Sequence, residues 1–367
     1  VVRIRGAVAR ETGAPFTLED LELDEPRPDE VLVEVSAVGV CHTDVAVRNQ
    51  WMPLPLPMVL GHEGAGIVRA VGRSVRKVVP GDRVVMSYWH CGTCPRCLSG
   101  HPAYCVDHAA WTVSGSRPDG TNAVHGEGPL HGTFFAQSSF ATHAMATERN
   151  VVKVGADTDL VVAAPLACGL QTGAGTVINR LTPEVGSGLA VFGVGAVGLA
   201  AVMAARLVGC TTVVAVDVHP SRLALAEELG ATHTIDASAT EDVAGAVRDL
   251  SASGVNYAVE TTAVPSVAAQ AVESLAPHGT CAILGVGPGN PALSLDMMRL
   301  LSTGRTVTGV AMGDGRPEEL IPKLLELHRQ GRFPIDRLVT TYPLEDINKA
   351  VEDAEAGKVV KAVLIPG

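Results

Sequence analysis

The feature that most restricts the fold is a glycine pattern in the second half of the chain. Gly193-Val194-Gly195-Ala196-Val197-Gly198 reads G-x-G-x-x-G; it follows the apolar run Leu189-Ala190-Val191-Phe192 and opens an alanine-rich stretch ending near Gly209. Asp217 closes the next apolar run, Val213 to Val216, at about the 20-residue interval of a dinucleotide-binding fingerprint. Such glycine patterns are common by themselves, so the weight lies in the strand before, the helix after and the acid beyond. Without that context it is an ordinary strand-turn-helix with a surface Asp. Further apolar runs follow at Ala258-Val259, Ala282 to Leu284 and Val307-Thr308. Continuously apolar runs between helical stretches suit strands buried on both faces of a parallel sheet, which predicts a doubly wound α/β domain. The pyrophosphate of a dinucleotide belongs at the helix N-terminus, close to Gly193, Gly195 and Gly198. Asp217 would accept hydrogen bonds from the adenosine ribose and repel a 2′-phosphate, favouring NAD over NADP. Arg222 belongs either at the adenosine end or on a solvated helix face.

Before this domain the rhythm differs. Val31, Val33 and Val35 alternate with Leu32 and Glu34, while Pro53, Pro55, Pro57, Gly61, Gly64 and Gly66 punctuate the chain, predicting an irregular, mostly β domain. Beyond about residue 312 come an amphipathic helix through Leu320, Leu324, Leu325 and Leu327, a helix from Asp346 to Ala354, and a strand from Val359 to Ile365. This tail is too short to make its own core, so it is expected to return to the first domain. The expected boundaries are 1–169 with 311–367 for a discontinuous domain and 170–310 for the dinucleotide domain.

The 367 residues exceed what a single core usually serves, in keeping with two domains. A net charge of −11 argues against a nucleic-acid partner, which needs a basic face to replace phosphate counterions. Neither a secretory signal nor an apolar run of about 18 residues is visible, so the expectation is a cytoplasmic protein with no membrane partner. Thiols stay reduced in that compartment, and the eight cysteines read as metal ligands or buried thiols.

Four of them, Cys91, Cys94, Cys97 and Cys105, fall within fifteen residues, with Gly92, Pro95 and Gly100 bending the chain between them. Tight turns bring successive sulfurs round one centre, the pattern of a tetrahedral all-thiolate zinc in a lobe at about 90–106. Four thiolates leave no open position, so such a site is structural. A disulfide pair, an iron–sulfur cluster or reactive thiols are the alternatives.

Cys41-His42-Thr43-Asp44, Gly61-His62-Glu63-Gly64 and Ala167-Cys168-Gly169 would individually pass for background, since a lone Cys or His is more often core than ligand. Together, two cysteines and a histidine supply three ligands and leave a fourth position open, the pattern of a catalytic zinc.

With these motifs in this order, the sequence resembles the zinc-dependent medium-chain alcohol dehydrogenases over essentially its whole length. The match runs through Cys41-His42-Thr43-Asp44, Gly61-His62-Glu63-Gly64-Ala65-Gly66, the Cys91 to Cys105 lobe, Cys168-Gly169-Leu170-Gln171-Thr172-Gly173 and the glycine pattern with Asp217. The resemblance implies a GroES-like catalytic domain joined to a Rossmann cofactor domain, two zinc ions per subunit, NAD, and a homodimer or homotetramer. An edge near Val307 to Val310 could join subunits. It implies Cys41, His62 and Cys168 as catalytic ligands, Glu63 behind the metal and Asp44 supporting His62. Thr43 would take the alcohol proton, Thr172 would hold the nicotinamide and Val197 would press on its ring. His42 occupies a pyrophosphate-facing position where some relatives carry arginine. Lys361 matches another basic pyrophosphate position, although a surface lysine fits equally. Ala46 stands where many relatives have the histidine that ends a proton relay, so Thr43 is the one carrier that can be named.

Within the family the sequence is most similar to the aryl-alcohol (benzyl-alcohol) dehydrogenases. That rests on Leu56 to Gly66, Phe134-Phe135-Ala136-Gln137-Ser138-Ser139-Phe140-Ala141-Thr142 and Gly169 to Gly175. Aromatic residues make up only 4% of the chain, yet Trp51, Tyr88 and Trp89 fall near segments that would line the pocket, and Leu284 and Val286 could wall the cleft. The expected reaction interconverts a primary benzylic or allylic alcohol and its aldehyde. The competing readings are a thiol-dependent formaldehyde dehydrogenase, whose anionic substrate would want further cationic residues, and a non-catalytic NAD- and zinc-binding sensor, which needs no open metal position.

Overall fold

The computed structural model describes residues 1–251, 253–289 and 291–367. The chain divides into two compact units, one of Val1–Gly169, Gly315–His328 and Ile335–Gly367, the other of Leu170–Asp314 and Arg329–Pro334. The C-terminal break falls at Asp314 rather than at residue 310, and the short excursion at 329–334 carries no sequence signal.

The second unit is built on a six-stranded parallel sheet, spatially ordered His233–Asp236, Thr212–Asp217, Gly188–Phe192, Val255–Glu260, Leu275–Ile283 and Thr306–Gly309. Numbered along the chain, these strands run 3-2-1-4-5-6, the doubly wound order whose crevice opens at the carboxyl ends of the central strands. Every side chain of Gly188–Phe192 is buried, as a central strand covered on both faces requires. The helix Ala196–Val208 is buried throughout Gly198–Ala205, its alanines allowing close approach, and it stops at Gly209 in the left-handed conformation. His233–Asp236 is an edge strand that the sequence did not signal, because only Ile235 in it is buried.

The first unit carries two sheets. The larger runs Val339–Pro343, Lys361–Ile365, Glu30–Gly39, Gly64–Val71, Arg83–Met86 and Val151–Lys153, with His143–Thr147 also paired to Glu30–Gly39. The smaller joins Met58–Val59, Val2–Ala9, Thr17–Leu23 and Val124–His125. The returning tail expected from the sequence thus completes the larger sheet: Val363 and Leu364 pair antiparallel with Gly39 and Val38. Buried in the same unit, the Arg117 guanidinium grips Glu30 through both carboxylate oxygens at 2.6 and 2.8 Å and reaches Asp24 at 3.0 Å. No single helix among the described residues is long and apolar enough to cross a membrane.

Candidate active site and metal centres

The seven-residue helix His42–Arg48 fixes the first part of the site. Cys41 precedes it, and Asp44 in its first turn accepts the Cys41 amide on Oδ2 at 3.0 Å. The other oxygen of Asp44 accepts from the Gly61 amide at 3.1 Å and from His62 Nδ1 at 2.9 Å. One fully buried carboxylate therefore ties together two segments that lie twenty residues apart and settles which imidazole nitrogen points inward. Cys168 follows the short helical turn Ala164–Ala167. The ligand atoms of Cys41, His62, Glu63 and Cys168 all lie within 4.8 Å of one another.

The donor set suits a zinc ion. His62 Nε2 is buried and has no hydrogen-bond partner, an arrangement that is costly unless something else engages its lone pair. Sharing a proton with Cys168 is the main influence on Cys41, whose pKa is held well below the ordinary thiol value against its burial. The same contact, with burial, drives the Cys168 pKa upward. Burial opposes a charge on His62, but Asp44 and Cys41 outweigh it and raise its pKa. Burial lifts Glu63 to about 7 against the pull of Lys361. Two thiols, an imidazole and a carboxylate with such mutual influence are a site for a cation rather than an apolar core.

Lys361 departs from expectation. Its side chain is 4% exposed, its ammonium lies against Glu63, and it donates to the Val40 carbonyl at 2.9 Å. It is therefore not the surface lysine that was the alternative reading; strand pairing on both sides of Lys361–Ile365 draws it inward. Gly39 makes the room, since a Cβ there would come within 2.0 Å of Glu63 Oε2.

The three aromatic residues expected near the pocket each have a partner in the fold. Tyr88 is buried and its hydroxyl donates to the Gly315 carbonyl at 2.5 Å, Trp89 stacks on Trp111 at 5.6 Å, and Trp51 packs on His42 at 5.5 Å. The rings that meet His62 are instead Phe135, stacked at 4.5 Å, and Phe134, edge-on at 5.4 Å. Phe135, Ala136 and Ser138 all hold φ between 50° and 56°. Each non-glycine residue in that region costs about 1–2 kcal/mol, so no propensity rule would have placed the ring here. The available signal was two adjacent phenylalanines in a chain poor in aromatics.

The four-cysteine lobe closes as its spacing implied, with the sulfurs of Cys91, Cys94, Cys97 and Cys105 within 4.8 Å of one another. Backbone amides point at them: Cys94 N and Cys91 N reach Cys91 Sγ and Cys105 Sγ, each at 3.3 Å. The amides of Cys97 and Val106 lower the Cys94 pKa to about 6, whereas burial lifts Cys97 to about 12. Amides aimed at sulfur favour the thiolate a metal requires.

In the second unit the three glycines have separate reasons. Gly193 holds φ 85° and a Cβ there would strike Thr261 Oγ1 at 2.5 Å; at Gly198 it would strike the Gly193 carbonyl at 2.0 Å. Gly195 has nothing within 4 Å, so the protein itself does not demand it, and the open space lies where a phosphate would meet the uncapped end of Ala196–Val208. Asp217 accepts from Val194 N at 2.8 Å on one oxygen and from Val218 N and His219 N on the other, which locks its carboxylate at the strand end. Arg222 lies 4.0 Å from it. Thr172 and Val197 belong to neighbouring segments, because Gly173 approaches so closely that a Cβ would sit 1.9 Å from the Val197 carbonyl. Leu284 is half-buried and Val286 exposed in the loop after Leu275–Ile283.

Comparison with known proteins agrees with this geometry. Residues 27–156 match the alcohol dehydrogenase GroES-like domain and residues 196–329 the zinc-binding dehydrogenase domain. A geraniol dehydrogenase of Castellaniella defragrans is 42% identical over 99% of this chain and 98% of its own length. Among solved structures, an alcohol dehydrogenase zinc-binding domain protein from Burkholderia ambifaria is 49% identical with a TM-score of 0.97. The benzyl alcohol dehydrogenase of Acinetobacter calcoaceticus is 42% identical with a TM-score of 0.96. Both superpose over 100% of each chain. The chain belongs to the zinc-dependent medium-chain alcohol dehydrogenases. It is an oxidoreductase acting on an alcohol.

Proposed function

We propose that the protein interconverts a primary benzylic or allylic alcohol and its aldehyde, with NAD as the redox partner, at the Cys41–His62–Cys168 centre. The observation that carries this reading is the buried, unpartnered His62 Nε2 beside the sulfurs of Cys41 and Cys168: with the nearby Glu63 carboxylate engaged by Lys361, these three donors would leave a fourth position for a substrate oxygen. When bound, zinc would supply Lewis-acid polarisation of the substrate oxygen and the nicotinamide would supply the hydride acceptor.

The remaining work falls to side chains. Thr43 is suited to carry the alcohol proton, because its hydroxyl lies 3.7 Å from Cys41 Sγ and can donate and accept. Ala46 is buried and offers no titratable group, so the relay has no side-chain carrier at that position. Asp44 holds His62, and Glu63 with Lys361 forms a charged layer behind the sulfurs. Phe135, stacked on His62 and the less buried of the two phenylalanines, is suited to pack against a planar aryl or alkenyl group. The names of the Castellaniella and Acinetobacter relatives support the same substrate class. The glycine turn and the fixed Asp217 carboxylate support NAD over NADP. Thr172 and Val197 are suited to the nicotinamide and His42 to the pyrophosphate. The four-cysteine lobe is read as a structural zinc site. A homo-oligomer paired along the edge strand Thr306–Gly309 is favoured by Met297, Met298 and Leu301, exposed by 83, 69 and 74% on the preceding helix.

Initial rates with benzyl alcohol, geraniol, ethanol, and formaldehyde plus a thiol, each with NAD and NADP, test the reading. We expect kcat/KM for the first two to exceed ethanol by at least ~10-fold, and NAD to exceed NADP. Preference for ethanol, for NADP, or for formaldehyde given with a thiol would overturn the corresponding part.

A further inference from the structure

We propose that Gln137 is a positioning residue for the Cys41–His62–Cys168 centre: its amide holds the His62 carbonyl and orients the left-handed run that lays the Phe135 ring on the His62 imidazole. The inference rests on the reading of that centre as a metal site.

A primary amide buried to 1% exposure is costly unless all of its groups are used. Gln137 uses them all. Nε2 donates to the carbonyls of His62 at 3.0 Å and Met86 at 2.9 Å, with a longer contact to Ser87 at 3.3 Å. Oε1 accepts from Gly64 N at 3.1 Å and Ser139 Oγ at 3.0 Å. One side chain therefore joins the ligand-bearing segment His62–Gly64, the end of the strand Arg83–Met86 and its own loop.

That loop is closed locally by Ser138 N to the Phe134 carbonyl and Phe134 N to Ser138 Oγ, both at 2.9 Å. The same loop is also tied down by Ser139 N to the Gly61 carbonyl at 2.9 Å, Phe140 N to the Leu60 carbonyl at 3.0 Å and Asn150 Nδ2 to the Ala136 carbonyl at 3.1 Å. Gln137 adds a direct side-chain link from the loop to the backbone of His62 itself, and the Phe135 ring lies 4.5 Å from the imidazole at an interplanar angle of 29°.

The imidazole needs that cover. The ring can turn only about its Cβ–Cγ bond, and the Asp44 hydrogen bond at Nδ1 opposes that turn from one edge, while the far edge carrying Nε2 has no hydrogen bond of its own. Small rotations about that bond swing Nε2. A ring stacked on one face, with Phe134 edge-on at 84°, blocks the motion. Asp44 chooses the nitrogen; Gln137, through Phe135, fixes its direction.

Cadmium-113 substitution provides the test, since the four-thiolate centre and the Cys41–His62–Cys168 centre have different donor sets and give separate resonances. The Cys91 centre then serves as an internal reference. In Gln137→Met and Phe135→Leu we expect the resonance of the histidine-containing centre to shift or broaden and that of the Cys91 centre to stay. Release of cadmium from the first centre to a chelator should quicken by about 10-fold, the scale of losses in supporting shells. Two unmoved resonances with only a lowered Tm would overturn the proposal, because that is what a purely structural glutamine predicts. If Gln137→Met does not fold, Ala136→Gly is added to relieve the φ of 56°, and the same spectrum decides. A wild-type spectrum with the four-thiolate resonance alone would overturn the metal reading itself, and this inference with it.

Discussion

The Lys361 ammonium and the Glu63 carboxylate form an ion pair closed to solvent, with Glu63 within 4.8 Å of the donor atoms of Cys41, His62 and Cys168. Removing one partner leaves the other charge unmatched in a low-dielectric interior. Lys361→Met should cost about 3–5 kcal/mol in urea unfolding. Because Lys361→Met/Glu63→Gln leaves neither charge, it should recover more than half of that loss. A double variant no more stable than the single one would show that Lys361 contributes by packing alone.

Arg117 and Glu30 make a comparable pair in the first unit, with the guanidinium fork on both oxygens. Arg117→Met strands a buried carboxylate and is expected to lower stability by about 3–5 kcal/mol. Arg117→Lys keeps the charge but loses the fork, and should fall between wild type and Arg117→Met. Chemical denaturation of the three proteins checks the order.

Asp217 has two tasks, and a substitution separates them. Asp217→Ser removes the negative charge at the strand end and should lower the NAD/NADP ratio of kcat/KM by at least ~10-fold. It also orphans the amides of Val194, Val218 and His219, so a loss of about 1–3 kcal/mol should accompany the change. Asp217→Asn retains acceptor capacity and should shift the ratio with a smaller fall in Tm. An unchanged ratio in both would remove Asp217 from cofactor choice.

Glu318 sets an acid limit. Burial opposes its charge, but His90 and Lys77 overcome that and bring its pKa down to about 2. A carboxylate with a depressed folded-state pKa adds stability above the unfolded value of about 4.3, and that contribution disappears as pH falls through about 2. The Tm difference between wild type and Glu318→Gln should therefore be constant above about pH 5 and shrink towards zero between pH 4 and 2. A difference independent of pH across that window would mean that the charge is not what stabilises.

What the sequence disclosed depended on the distance over which each feature is encoded. The glycine turn and the cysteine lobe are local, so spacing alone placed Gly193, Gly198 and the four sulfurs. Cys41, His62 and Cys168 are scattered, and only their joint occurrence with a family pattern brought them together. The burial of Lys361 against Glu63 was not legible because its environment is made by a strand pairing that no local pattern records. The contact of Phe134 and Phe135 with His62 was not legible, because Phe135, Ala136 and Ser138 adopt a backbone conformation that their residue types disfavour. His233–Asp236 escaped because an edge strand needs little apolar surface.

The pairing of Val40 with the segment that carries Lys361 spans 321 residues, and the whole second unit is encoded between them. During synthesis, the strand Glu30–Gly39 therefore leaves the ribosome long before the strand that borders it exists. Until then Glu63 lacks the Lys361 ammonium that lies beside it in the finished fold. The order of genetic encoding thus leaves the Cys41–His62–Cys168 cluster without its neighbouring ammonium until after the second unit has been made, so a truncated chain would lose Lys361 before it lost Cys41, His62 or Cys168.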